Sequence, residues 1–164
     1  MVSVIARNPY RLHDAAARLP RPPAGSLNLI ALDYHDTPAL RAALEQAVRD
    51  HGPIEPAVCW IHGTAPEAPG VVAQYTGTPE RPGRFFHVLG SAAADPSRPD
   101  PGRRAALERA GPILYREVIR GFVIDAGRSR WLTHREISQG VLEAIRADRP
   151  RSIVGTVTPW PARP

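Results

Sequence analysis

The chain has 164 residues and a formal net charge of +5, a length suited to one domain that can bury about two-thirds of its unfolded surface. Hydrophobic residues make up 43% and charged residues 23%, the balance of a globular protein rather than a disordered one. No apolar run of about 18 residues is present to cross a membrane as a helix. MVSVIARNPY is interrupted too soon for a signal peptide, and the single cysteine, Cys59, excludes an internal disulfide or a cysteine-rich zinc site. The cytoplasm is the default compartment.

Residues 2–6, VSVIA, are apolar and β-branched and predict a buried strand. Asn8-Pro9 then pairs a capping residue with proline at the first helical position, predicting a helix from Pro9 to about Leu19 with Leu12, Ala15, Ala16 and Leu19 on one face. RPPAGS, 21–26, is a loop, and LNLIALD, 27–33, a second strand. Asp36-Thr37-Pro38 opens another helix, striped by Leu40, Ala43, Leu44, Ala47 and Val48, which ends at His51-Gly52 where glycine admits a positive φ. PAVCWIH, 56–62, is a third strand. The order β-α-β-α-β, with strands apolar on both faces, predicts a parallel sheet covered by helices and an α/β fold.

Residues 63–83 are rich in Gly, Pro and Thr, with a short helix near Val71. RFFHVLG, 84–90, is a fourth strand, 92–102 a proline-rich loop, and Arg103–Ala110 a short helix. ILYREVIRGFVID, 113–125, reads as one long strand. Thr133-His134-Arg135-Glu136 is a capping box that opens a helix to about Asp148, with Trp131 and Leu132 ahead of it as a hydrophobic staple in contact with the core. RSIVGTVT, 151–158, is the last strand. The domain is expected over 1–158, with PWPARP, 159–164, as an irregular tail, and no internal repeat is present.

All 21 basic residues are arginine; there is no lysine. With 19 Pro and 13 Gly, this is the signature of GC-rich coding on a solvated surface. A nucleic-acid surface needs arginines clustered with aromatics, and here they are scattered among few aromatic residues. The absence of lysine rules out any mechanism that uses a lysine amine. No histidine pair has helical metal-ligand spacing. Cys59 and His62 fall on opposite faces of a strand, so no metal site is expected. Ser91 lacks the Gly-x-Ser-x-Gly elbow of an α/β-hydrolase nucleophile.

The order of these elements, with VSVIARN, LDYHD, CWIHGTA and HVLGSAA at four strand ends, resembles an abbreviated, atypical short-chain dehydrogenase/reductase, best over residues 2–91. The resemblance implies a Rossmann-like three-layer sandwich with a mainly parallel sheet. It implies an NADP-type dinucleotide cofactor, a small-molecule substrate and oxidoreductase chemistry. It places Arg7, with Asn8 beside it, at the adenosine ribose, where arginine suits a 2′-phosphate. It places Asp33, with Tyr34 next to it, at the adenine edge, Gly63 at the strand-four motif, and Ser91 at the catalytic serine. Asp33 also reads as an Asx turn at a strand end, and Ser91 as an ST-turn serine.

Two family features are absent. The first strand and its glycine-rich turn, which hold the pyrophosphate, lie outside the sequence. The Tyr-x-x-x-Lys pair cannot exist without lysine; Tyr115, four residues before Ile119, lies on a predicted strand. The family's sheet has its first strand between the equivalents of 2–6 and 56–62. The expectation is therefore either that these two pair directly across the gap, or that the natural protein begins upstream of Met1 with a strand, a glycine-rich turn and an apolar helix. Three readings follow: a divergent NADP-binding reductase relative with doubtful or lost catalysis, a non-enzymatic nucleotide-sensing or partner-binding protein of the same fold, and a basic nucleic-acid-binding module. The oligomeric state is left open, a homo-oligomer included.

Overall fold

The computed structural model describes residues 1–19, 26–95, 97 and 100–164; most of the expected loop at 21–26, and Pro96 and Pro99 of the loop at 92–102, lie outside the described residues. The fold is mixed α/β with a mainly parallel sheet and five α-helices. Strands β1 (Val2–Ala6) and β2 (Leu27–Ala31) pair in parallel, Val2 opposite Leu27 through Ala6 opposite Ala31. Strands β3 (Ala57–Cys59), β4 (Gly83–Leu89), β5 (Ile113–Arg120) and β8 (Arg151–Val154) form a second, fully parallel sheet in that order. Among the described residues β1 and β3 do not pair, so direct pairing across the gap is not what the chain does.

The connections are helical. Helix α1 (Pro9–Ala17) is capped by Asn8, whose side chain accepts from the Arg11 N–H, and Pro9 occupies the first turn. It ends two residues before the expected Leu19, and of its predicted stripe only Leu12 is buried while Ala15 and Leu19 are exposed. Helix α2 (Thr37–His51) is capped by Asp36 at Ala39 N–H and terminates at Gly52, φ 82°. Its Leu40, Leu44 and Ala47 are buried as the periodicity requires. Helices α3 (Ala68–Gln74) and α4 (Gly102–Ala110) follow β3 and β4.

Two cores result. The larger joins Leu40 and Leu44 of α2, Val71 to Ala73 of α3 and Leu107 of α4 to Ala57, Cys59, Phe85, Ile113 and Tyr115 on one sheet face. Ile5 of β1 and Leu32, just after β2, pack against this core, so α2 ties both sheets together. The smaller core lies on the opposite face: Phe86, Val88, Val118 and Val154 under Ala144, Val141 and Ile145 of helix α5 (His134–Ala147). The two cores alternate along β4 and β5 because successive side chains of a strand point to opposite faces.

The expected single strand over 113–125 is broken. A side chain at Gly121 would collide with the Thr156 carbonyl, and the close approach of that backbone ends β5 there. Phe122 then exchanges both backbone bonds with Thr156, and β6 (Phe122–Asp125) turns back on β7 (Arg128–Trp131) as an antiparallel hairpin. The turn is Ala126-Gly127, φ 47° and 76°, a two-residue loop with positive φ at both positions. Strand β8 is shorter than the expected 151–158 because Gly155, φ 75°, bends the chain into this contact.

The capping box at Thr133 and Glu136 forms in full, and Arg130 adds a two-pronged contact to the same carboxylate at 2.9 Å. Those contacts pull the Glu136 carboxyl down to about 2. Leu132 packs on the smaller core, but Trp131 is 50% exposed at the end of the hairpin and is not a core residue. The tail is not wholly irregular, since Trp160–Ala162 makes one 3-10 turn. Among the described residues no helix is long and apolar enough to cross a membrane.

Candidate functional site

Parallel strands present all their carboxyl ends on one side, and in open α/β sheets that side is where ligands bind. Arg7 immediately follows β1 and Asp33 lies two residues beyond β2. Because β1 and β2 are paired in register, their two side chains meet: Arg7 Nη1 lies 3.7 Å from Asp33 Oδ2. Asp33 makes an Asx turn, accepting the His35 N–H at 3.0 Å, and its other contact is His35 Nδ1 at 2.7 Å. These hydrogen bonds, the backbone one first, hold the Asp33 carboxyl below its ordinary range. Tyr34 stacks on the His35 ring at 5.0 Å and 27°.

His35 reaches further. Its Nε2 lies 3.0 Å from Thr64 Oγ1, in the loop after β3. The contact bridges the carboxyl ends of the two sheets, so β1, β2 and β3 all open toward the same side. Gly63 precedes Thr64 and is exposed, with nothing within 4 Å of where a side chain would start. Four of the expected residues, Arg7, Asp33, Tyr34 and Gly63, therefore border one surface. Asn8 adjoins it, but its side-chain oxygen is engaged as the α1 cap. His35 and Thr64 were not singled out from sequence, although they sit inside LDYHD and CWIHGTA. Their sign is His35's two-residue spacing from Asp33, which suits an Asx turn.

Ser91 stands apart. It opens the 3-10 turn Ser91–Ala94 after β4 and is only 8% exposed. His62 is exposed in the loop beyond β3, since that strand ends at Cys59 rather than running to His62 as expected. Cys59 is buried, and burial pushes its thiol up to about 12, so it is an inert packing group. Among the described residues no group of three metal-ligating side chains converges.

A second polar constellation is buried under α4 and escaped the sequence. His87 of β4 and Tyr115 of β5 are 28 positions apart, and the parallel register puts them on one face with His87 Nδ1 3.1 Å from the Tyr115 hydroxyl. Tyr115 is fully buried, with Arg104 lying 4.9 Å over its ring. Burial, reinforced by the Glu117 charge, pushes its hydroxyl well above the usual tyrosine range. Burial, with Arg103 nearby, pulls His87 down to about 4. Arg103 bridges Asp100 at 2.9 Å and Glu117 at 3.6 Å, closing the cluster on its solvent side.

Comparison with known proteins adds no relative: no family model, curated protein or solved structure matches the chain.

Proposed function

We propose that the chain is a Rossmann-like nucleotide-binding protein of the short-chain dehydrogenase/reductase type, which binds the adenosine end of an NADP-type dinucleotide at the carboxyl edge of β1, β2 and β3. The observation that carries this reading is the continuous Arg7–Asp33–His35–Thr64 chain of contacts across that edge, with the Tyr34 ring beside it. Arg7 pairs with Asp33 at 3.7 Å and is 66% exposed along its side chain. Such an exposed pair is weak, and a 2′-phosphate with its greater charge displaces it by forming charge-assisted bonds to the guanidinium.

The fit is partial. Arg7 and Asp33 suit the adenosine phosphate and adenine. Nothing described suits the pyrophosphate: the α1 N-terminus has proline in its first turn and spends a free N–H on Asn8. Affinity should accordingly be low. The test is titration of NADPH and NADH by fluorescence. Arg7→Ala is expected to weaken NADPH by about 1.5–3 kcal/mol, the size of a lost charge-assisted contact, and leave NADH nearly unchanged. Equal losses for the two nucleotides would remove Arg7 from the ribose site.

The buried Tyr115 favours the non-enzymatic form of this reading. A tyrosine general acid needs its pKa brought toward neutrality. Here burial moves it the other way, the hydroxyl faces His87, and no lysine exists to correct it. Incubation with NADPH and a panel of simple ketones and aldehydes is expected to show no turnover that Tyr115→Phe abolishes. Turnover lost in that variant would restore the reductase reading, with Ser91 as its next candidate.

A further inference from the structure

Arg120 is the last residue of β5, while Gly90 directly follows β4 and Trp60 directly follows β3. These strands are parallel neighbours in the order β3-β4-β5, so all three residues stand at the same end of the sheet. Alternation also puts them on one face. Val118 and Val88, two positions before Arg120 and Gly90, lie in the smaller core, and Cys59, next to Trp60, lies in the larger one opposite. Adjacent strands are about 4.8 Å apart, so Arg120 starts two strand spacings away from Trp60. Its side chain spans that gap over Gly90, where no side chain stands in the way. Nη2 lies 3.8 Å from where a Cβ on Gly90 would be, and the guanidinium carbon lies 4.4 Å from the centre of the Trp60 ring.

This arginine has no anion. Arg103, Arg104, Arg116 and Arg130 each meet a carboxylate. Among the described residues Arg120 makes no ion pair, its side chain makes no hydrogen bond, and its Nε is buried without a partner. Nearly all buried donors in folded proteins are paired, and a guanidinium cannot shed its charge to escape the cost. Burial holds its pKa below the ordinary arginine value, with no acid to raise it again. Nε and Nη2 form one edge of the guanidinium, whose two parallel N–H groups match the two oxygens of a carboxylate. Beside Nη2 the space at Gly90 is open: apart from the glycine's chain neighbours, nothing else comes within 4 Å of where a side chain would start. Past the guanidinium the same face is apolar, with Trp60 44% and Val58 48% exposed. The carboxyl ends of parallel strands are also where open α/β sheets bind ligands.

We infer that Arg120, Gly90 and Trp60 form a binding site for a small carboxylic acid with a flat apolar body. The carboxylate sits in the notch at Gly90 and takes the Nε–Nη2 edge of Arg120; the body lies on the exposed parts of Trp60 and Val58. One fork with one charge matches a carboxylate in both geometry and charge. The guanidinium turns slightly on the indole to present its Nε–H, and the cation–π contact that this loosens, at a half-exposed ring, is weak. Binding thus gives a partner to the one guanidinium nitrogen that is buried without one among the described residues. The site lies over β3, β4 and β5, and it rests on no part of the nucleotide reading.

The test is a titration of the isotope-labelled chain with sodium benzoate, without nucleotide, read by NMR at the indole N–H of Trp60. Saturable binding with a Kd of about 1 mM is expected, and no shift with benzamide, which has nearly the same shape and no charge. Arg120→Leu should weaken benzoate by about tenfold or more, the size of a lost charge-assisted contact. Its melting temperature should equal or exceed that of the wild type, because the variant removes an unpaired buried donor. Arg120→Lys, which keeps the charge and loses the fork, should weaken benzoate severalfold. Benzamide binding as well as benzoate, or benzoate affinity unchanged in both variants, would overturn the inference. So would a marked fall in the melting temperature of Arg120→Leu, which would make the arginine a structural prop of Trp60. Inorganic phosphate displacing benzoate at lower concentration would also overturn it and give the site to phosphate. Because no nucleotide is present, each of these outcomes is separate from the NADPH titration of Arg7→Ala.

Discussion

Phe85→Ala is expected to destabilise the protein by about 3–5 kcal/mol, the cost of truncating a fully buried aromatic and leaving a cavity behind. Phe85 is wholly buried in the larger core, its ring 6.2 Å from that of Tyr115 and edge-on to His87 at 6.0 Å. It stands opposite Ala57 of β3 on one side and Tyr115 of β5 on the other, so it joins three strands of the sheet. A domain of this size holds only about 5–15 kcal/mol in total, and the variant should lose a large share of it. Urea denaturation followed by far-ultraviolet circular dichroism measures the change. A midpoint shift no larger than that of Val58→Ala, whose side chain is half exposed in the chain as it stands, would show that the larger core does not carry the fold.

The parts of this fold that were legible in the sequence are those whose signals are local. Asp36, Pro38 and Gly52 bracket α2, and its apolar spacing marks the face that is buried. Thr133 and Glu136 announce α5 in the same way. What was not legible depends on partners distant in sequence. Gly121 sits between two apolar, mostly β-branched stretches, Val118-Ile119 and Phe122-Val123-Ile124, that read as one strand, and only the Thr156 backbone packed against it explains why the strand stops. The hairpin turn at Ala126-Gly127 escaped notice because alanine rarely takes a positive φ, unlike the Asn or Asp usually found there. The exposed stripe of α1 misled for a different reason: Ala15 and Leu19 have the spacing of a buried face, yet the strip of sheet beside α1, at Val2 and Val4, is itself uncovered.

The candidate site divides the same way. Arg7 and Asp33 stand at strand ends that a β-α-β reading already aligns, and pairing of β1 with β2 brings them together. His35 and Thr64 lie in flanking loops, and their contact depends on how one sheet is set against the other. The His87–Tyr115 pair depends on the β4–β5 register, since a shift of one residue would turn one partner to the other face.

That pair carries the second large expected effect, a loss of stability in mild acid. His87 is 6% exposed, its Nδ1 faces the Tyr115 hydroxyl, the Phe85 ring meets it edge-on, and Glu117 is its register partner on β5. Burial first, and Arg103 second, bring its pKa from 6.5 to about 4. The folded protein thus holds the imidazole neutral, while the unfolded chain binds a proton below about pH 6.5. Between those two values the unfolded state binds more protons, so stability is present in full above pH 6.5 and falls as the pH drops toward 4. A shift of this size corresponds to about 3 kcal/mol. Protonation also makes both ring nitrogens donors, so that the tyrosine hydroxyl can then meet Nδ1 only as an acceptor. Urea denaturation at pH 7.0, 5.5 and 4.5 should show a steep decline in the wild-type chain and a shallower one in His87→Gln, which has no proton to gain. Parallel declines in the two proteins would show that the acid sensitivity belongs to the carboxylates and that His87 is not held neutral by its surroundings.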